Sequence, residues 1–431
     1  MERKFTRILE KWEKDGAKKP LMVTGARQTG KTWIIRDFCG RQYPDYIYIN
    51  LEEQAGLRSV FDGDLDPDTI LRGMEQMLGR KISPDVPIFI DEIQASETAV
   101  TALKYFCEDK RDFRVIAAGS LLGVKIHRFH SSFPVGKVQI ESLYPMDFEE
   151  FLTACGEEIL LDGIRDSFNS REPLPDGVHE RALRLYHDYL FTGGMPESVA
   201  DYLNHGKDIF QMDKRILDNL QPAYMADMTK YVTSPQESVK ILETWKSVPR
   251  QLARENPKFR YNEIRKGMGK RDFWGPLDWL DASGMIYRVN KVELPEAPLR
   301  GYEDPGSFKV YLSDVGILTN LCGIQYKDMR QDARNMYKGG IVENYVYQQM
   351  KINHPDLYYF KPSESMEIDM LFEDDRGIIP LEIKAGRHRR STSLNNYREK
   401  YHPPFAIRLS EINFGYADGL FSVPLYAAFC I

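Results

Sequence analysis

The chain runs to 431 residues, 42% of them hydrophobic and 28% charged, and carries a formal net charge of -6. That length exceeds one ordinary core, so two to four domains are expected. No apolar run approaches the roughly 20 residues that span a bilayer, and Met1 to Lys19 is charged where a secretory signal would be apolar, so a cytoplasmic chain without a membrane partner is expected.

The first segment alternates short β-branched or aromatic runs (Leu21 to Thr24, Tyr46 to Leu51, Ile88 to Asp91, Val115 to Ala118, Val138 to Ile140) with helical stretches. Such alternation implies an α/β domain with a parallel sheet covered by helices. From Met146 to about Lys230 the pattern is helical, broken around Pro173 to Gly177 and at Gly193-Gly194-Met195-Pro196, as a helical lid would be. A long helix (Gln236 to Glu255), a short strand, two helices containing Asn262 to Lys266 and Arg271 to Ala282, and a hairpin strand (Met285 to Leu294) follow in the order of a winged helix. Pro295 to Pro305 reads as a wing loop or linker before a strand at Phe308 to Leu312. The last domain opens with a helix at Gly340 to Lys351, then strands at Leu357 to Phe360, Glu367 to Phe372 and Ile378 to Ile383, a polar helical stretch and an aromatic end.

Gly25-Ala26-Arg27-Gln28-Thr29-Gly30-Lys31-Thr32 fits GxxxxGK[ST] between an apolar strand and a helix, the context a P-loop requires. Its glycines let backbone N–H groups turn inward around phosphate oxygens, and the helix N-terminus adds partial positive charge. Lys31 is expected to reach the β and γ phosphates, and Thr32 to offer its hydroxyl to Mg²⁺. A second apolar strand ends in Asp91-Glu92, where Asp91 would hold the Mg²⁺ and Glu92 would orient or deprotonate the attacking water. Val115 to Ala118 ends at Gly119-Ser120, where Ser120 is either a sensor of the γ-phosphate or a residue of a plain turn. ATP and Mg²⁺ are thus the expected cofactors.

In the tail, Asp369 precedes Glu382-Ile383-Lys384 on a following strand, and Glu343 lies on an upstream helix. Alternation sends Glu382 and Lys384 to one face and Ile383 toward the core. Glu343, Asp369 and Glu382 are the candidate metal ligands, and Lys384 would position or activate a water for attack on a phosphodiester. A solvated, charged strand face is the alternative. Arg387-His388-Arg389-Arg390 follows the strand where a nucleic-acid backbone would lie. Lys266, Lys270 and Arg271 flank the second winged-helix helix, with Trp274, Leu277, Trp279 and Leu280 on its packing face. The five cysteines are scattered and form no CxxC pair, and the eight histidines show no ligand spacing, so neither a disulfide framework nor a zinc site is expected.

These segments together resemble the AAA+ ATPases of bacteria and archaea that carry a C-terminal domain of unknown function, and the resemblance covers nearly the whole chain. It implies a P-loop AAA+ core at residues 1–145, a helical lid at 146–234, a winged helix at 235–304 and a restriction-endonuclease-like PD-(D/E)XK domain at 305–431. The Gly193 to Glu197 turn resembles the lid signature of that family. Where the family carries Gly-Arg, a candidate finger for a neighbouring nucleotide, this chain has Gly136-Lys137, and lysine lacks the planar fork; Arg128 is a nearby substitute.

Two functions follow as expectations. The first is an ATP-hydrolysing protein that acts on nucleic acid, DNA ahead of RNA, through a winged helix and a nuclease-like tail. The second is a nucleotide-dependent switch that binds a protein partner through a tail that does not cut. A small-molecule kinase ranks behind both, because it leaves the tail unused. Monomer and homo-oligomer stay open.

Overall fold

The computed structural model of the protein describes residues 1–16, 19–120, 133–230, 232, 234–254, 258–330, 336–363, 365–387 and 391–431, with the backbone alone at 227–230 and 330. The chain divides into two units, residues 1–144 with 282–284 and residues 145–281 with 285–431. No helix among the described residues is long and apolar enough to cross a membrane.

In the first unit, β1 (Leu21–Thr24), β2 (Ile47–Asn50), β3 (Ile88–Asp91), β4 (Val115–Ala118) and β5 (Gln139–Ser142) form a parallel sheet in the order β2-β3-β4-β1-β5. Successive side chains of a strand face opposite ways. Accordingly Met22, Ile88, Ile90, Val115 and Ala117 join one core with Ile70, Met74, Leu103 and Phe106 of the helices Pro67–Leu78 and Glu97–Asp109. Leu21, Val23, Phe89, Ile116 and Ala118 join the other with Leu9, Trp12, Ile34 and Phe38 of the helices Phe5–Lys14 and Lys31–Gln42. Coverage on both faces explains why these strands read as unbroken apolar runs. Local signals set the helix ends: Asp66 accepts the Thr69 N–H ahead of a first-turn proline, and Ser96 accepts the Ala99 N–H.

The second unit opens with the helices Phe148–Ala154, Glu158–Ser170, Asp176–Thr192 and Pro196–Asn204. They do not stand apart from the tail. The Tyr189 ring lies 5.6 Å from Phe148 and 5.8 Å from Tyr345 of the helix Lys338–Met350, and Phe148 N–H donates to Gln349 Oε1 at 2.7 Å. The Gly-Gly turn is part of the same packing: Gly193 has φ +69°, Gly194 N–H donates to the buried Asp314 carboxylate at 2.6 Å, and Met146 N–H donates to Gly194 O at 2.7 Å. A helix runs from Pro235 to Leu252.

Between this helix and Lys270–Ala282, the expected strand and first short helix reduce to an extended stretch and a 3₁₀ turn at Tyr261–Glu263. Gly267 at φ +80° and Gly269 follow that turn, and two glycines so close raise the cost of extending it into a helix.

The sheet of this unit contains β6 (Ile286–Val292), β7 (Glu303–Leu312), β8 (Tyr358–Ser363), β9 (Met366–Asp374), β10 (Gly377–Ile383), β11 (Ala406–Ser410), β12 (Gly415–Ala417) and β13 (Leu420–Pro424). Its order is β12-β13-β11-β10-β9-β8-β6-β7. The hairpin β6–β7 is antiparallel, and β6 also pairs in parallel with β8, so the hairpin is the outer edge of the tail sheet. The division drawn from the sequence between 304 and 305 falls inside β7. Helix Thr392–Tyr401 covers one face through Leu394 and Tyr397, packed with Ile368, Leu371 and Phe360.

Candidate functional site

The order β3-β4-β1 sets three strand ends side by side, and the open end of a parallel sheet is where ligands bind. From β1 the chain turns through Gly25 (φ +137°), Gln28 (φ +65°) and Gly30 (φ +92°) into the helix Lys31–Gln42. Gly25 tolerates no side chain, because a Cβ there would meet the Leu143 carbonyl oxygen at 2.2 Å. Thr29 Oγ1 donates to Ala26 O at 2.9 Å, and Lys31 Nζ bridges the loop, donating to Gly25 O at 3.0 Å and Ala26 O at 2.7 Å. Arg27 and Gln28 are exposed on the outside of the turn. Two hard oxygen donors converge beyond it, since Thr32 Oγ1 donates to Asp91 Oδ2 at 2.8 Å. An alcohol and a carboxylate on the same point fit Mg²⁺, which takes few protein ligands and keeps most of its water.

Glu92 sits in the left-handed region (φ +49°), its N–H donating to Asp91 Oδ1 at 3.0 Å and its Oε2 accepting from Gln94. Burial pushes its carboxyl up, and Asp91 adds to the rise against the Gln94 hydrogen bond. Such a shift suits a group that accepts a proton. Ser120 is buried just past β4, where Gly119 N–H donates to Val23 O at 3.2 Å. Lys137 is held by Glu108 at 2.8 Å, and Arg128 lies outside the described residues.

Two participants gave no sequence signal. Arg3, buried ahead of the first helix, donates to Thr29 O at 3.1 Å and Tyr144 O at 2.7 Å, which ties the P-loop to the far end of the unit. Tyr48 O–H donates to Asp91 Oδ2 at 3.1 Å from the neighbouring strand, visible only as one of the alternating positions of β2.

In the second unit the sequence-predicted tail residues do meet. Glu343, Asp369, Glu382, Ile383 and Lys384 line one cavity of about 290 Å³, together with Glu367 and Arg254. Glu382 and Lys384 share a face as expected, with Nζ to Oε1 at 2.7 Å. The buried member of that run is Glu382, at 4% exposure, whereas Ile383, expected in the core, is half-buried at the cavity wall and donates its N–H to Asp369 Oδ2 at 2.7 Å. Burial, and next the Glu343 carboxylate, push Asp369 up to about 7. Glu382 Oε2 is buried without a hydrogen-bond partner, a costly arrangement that a cation in the cavity would relieve. No group of three or more His, Cys, Asp and Glu among the described residues is spaced to hold a metal.

Sequence reasoning missed Lys309 and Glu367. Lys309, 1% exposed on β7, pairs with Glu343 at 2.6 Å and Glu367 at 2.9 Å, and Lys361 pairs with Glu367 at 3.1 Å. Burial pulls the Lys309 ammonium down, but Glu343, Glu367 and Asp369 outweigh it and hold it above its usual value. Arg387 pairs with Glu180, and His388, Arg389 and Arg390 lie outside the described residues.

The parallel sheet, the P-loop and the Thr32–Asp91 pair define a nucleotide-binding P-loop domain. Residues 17–152, most of the first unit, match the family model described as an AAA domain. Residues 183–328 and 338–427 match two models, each described as a domain of unknown function (DUF8612 and DUF4143). No curated protein matches the chain. Among solved structures, a Walker-type ATPase of Pyrococcus abyssi is 16% identical with a TM-score of 0.44, over 73% of this chain and 94% of that one. The Aeropyrum pernix ORC2 protein, solved in ADPNP–ADP complexes, is 12% identical with a TM-score of 0.36, over 76% and 93%.

Proposed function

We propose that the chain hydrolyses ATP at its AAA-type domain and uses the tail cavity as a divalent-cation-dependent phosphodiester site acting on DNA, in a sheet of the PD-(D/E)XK kind. The observation that carries the tail reading is the buried, unpartnered Glu382 Oε2 beside Lys384 and Asp369 in one cavity. At the first site, Lys31 would move from the loop carbonyls to the β and γ phosphates, Thr32 and Asp91 would hold the magnesium ion, and Glu92 would take a proton from the attacking water. Magnesium there supplies neutralisation of phosphate charge. At the second, Asp369 and Glu382 would hold the cation, which supplies polarisation of the phosphodiester. Lys384 would orient the water whose oxygen forms the new bond to phosphorus as the bond to the leaving sugar oxygen breaks, that oxygen taking a proton from solvent water, and Arg254 at the cavity wall would meet the phosphate. The helix Lys270–Ala282 with the hairpin β6–β7 supports a winged-helix reading by element order, with the hairpin serving the tail sheet as well.

The test is ATPase turnover with and without single-stranded DNA, duplex DNA and RNA, alongside a Mg²⁺ or Mn²⁺ cleavage assay on the parent, Glu382→Ala and Lys384→Ala. DNA-stimulated turnover and cleavage lost in both variants are expected. Cleavage that survives both removes those residues from the reading. A second reading, a nucleotide-set switch that binds a protein through a non-cutting tail, is favoured by Lys137, which is engaged by Glu108 where a finger would reach outward. It predicts slow turnover that no nucleic acid changes.

A further inference from the structure

Two carboxylates of the cavity wall, Glu343 and Glu367, share one buried ammonium group. Lys309 stands in the middle of β7, paired with Val289 of β6, and Tyr311 two residues on projects to the same side. Both reach Glu343: the ammonium at 2.6 Å and the Tyr311 hydroxyl at 2.6 Å, each on Oε1. The same ammonium lies 2.9 Å from Glu367 Oε1 and 5.0 Å from the centre of the Tyr359 ring, while Lys361 takes Glu367 Oε2. A lysine at 1% exposure is retained in a protein interior only when paired, so this contact set is built rather than incidental.

The carboxylates of the cavity therefore fall into two classes. Glu343 and Glu367 are neutralised from within. Asp369 accepts one backbone N–H, and Glu382, whose Oε1 pairs with Lys384, keeps Oε2 buried without any partner. The four wall carboxylates are met by three ammonium groups, those of Lys309, Lys361 and Lys384, while Arg254, also at the wall, is matched by Glu263 at 2.8 Å; the remaining negative charge favours one divalent ion and opposes a second.

We infer that Lys309 is the built-in counter-cation of Glu343 and Glu367: it withdraws both from metal binding, so that the cavity they line takes a single divalent ion on Asp369 and Glu382. The inference rests on the cation-dependent reading of the tail given above, and it reassigns Glu343 from metal ligand to partner of Lys309. Lys309 is a positioning residue in this scheme, because it acts through the carboxylates it holds.

The test is a titration of the full-length chain with Mn²⁺, followed by the electron paramagnetic resonance signal of free Mn²⁺, without nucleotide and in an Asp91→Asn background that silences the first site. One ion per chain is expected. Glu382→Gln and Asp369→Asn should weaken it at least tenfold, and Glu343→Gln should change it less than threefold. Lys309→Met, checked for folding by circular dichroism, should admit a second ion or tighten the first at least tenfold. If that variant does not fold, the Glu343→Gln result decides. Two ions in the parent, a tenfold loss in Glu343→Gln, or a folded Lys309→Met that binds as the parent does would overturn the inference and leave the tail reading standing. No Mn²⁺ bound in the parent overturns both.

Discussion

Replacing Gly25 by alanine separates two reasons for a glycine at the head of a P-loop. One is the approach of phosphate, which matters only when nucleotide is bound. The other is internal: a Cβ at this position would lie 2.2 Å from the Leu143 carbonyl oxygen, and φ is +137°. Holding a residue with a side chain at such a φ costs about 1–3 kcal/mol, and forcing a methyl group into a packed site adds about 1–3 kcal/mol. Leu143 cannot yield easily, since its N–H donates to Thr24 O at 2.8 Å and so carries the β1–β5 pairing past its last residues. The combined cost, about 2–6 kcal/mol, is read from hydrogen exchange without nucleotide, where it speeds sheet opening by roughly 30-fold to 10⁴-fold up to the global limit. Peptides covering β1, β4 and β5 should lose protection while those covering β8 to β11 keep theirs. Gly40→Ala is the control: it lies in a helix with open space around it, and gains up to about 1 kcal/mol. If Gly25→Ala leaves exchange in β1 within threefold of the parent, the Leu143 argument is wrong and the glycine serves phosphate alone.

Glu92→Gln should lower ATP turnover by about 100-fold or more while ATP affinity stays within threefold, as for the loss of a proton acceptor; a parallel loss of affinity would assign Glu92 to binding instead. Asp314→Ala strips the acceptor from two buried N–H groups, those of Gly194 and Ile317, and should destabilise the second unit by about 2–5 kcal/mol, measured by exchange of peptides around the Gly-Gly turn. Asp314→Asn should recover part of this, and equal losses in both would point to charge rather than hydrogen bonding. Burial holds His179 and His354 below their ordinary 6.5, so the unfolded chain binds protons that the folded one refuses, and their contribution to stability is lost as pH falls through about 6.5. Thermal melts between pH 8 and 5 should therefore converge for the parent and a His179→Gln, His354→Gln variant as pH drops; a constant difference would refute the assignment.

Much of the first unit was legible in the sequence because its signals are local. The P-loop is eight consecutive residues, Asp91 and Glu92 end an apolar run, and strands buried on both faces announce themselves as unbroken hydrophobic stretches. The Glu382–Lys384 pair was legible for the same reason, since Lys384 follows directly on the end of β10, two residues past Glu382, and alternation puts them together. Where local signals compete, the reading slipped. Asn262 to Lys266 has the composition of a helix, but Gly267 and Gly269 follow it and only a 3₁₀ turn forms.

What the tertiary structure alone decided is which distant charges share a space. A lysine inside a strand reads as a solvent-facing residue; the register of β7 against β6 and the approach of the helix Lys338–Met350 are what bury Lys309 between Glu343 and Glu367, 34 and 58 positions away. Arg3 is the same case at the other site, its contacts with Thr29 and Tyr144 lying 26 and 141 positions along the chain. Periodicity determines the face a residue occupies, and only the folded chain determines what faces it, because pairings across such separations are set by packing the elements together and leave no pattern in the residues themselves.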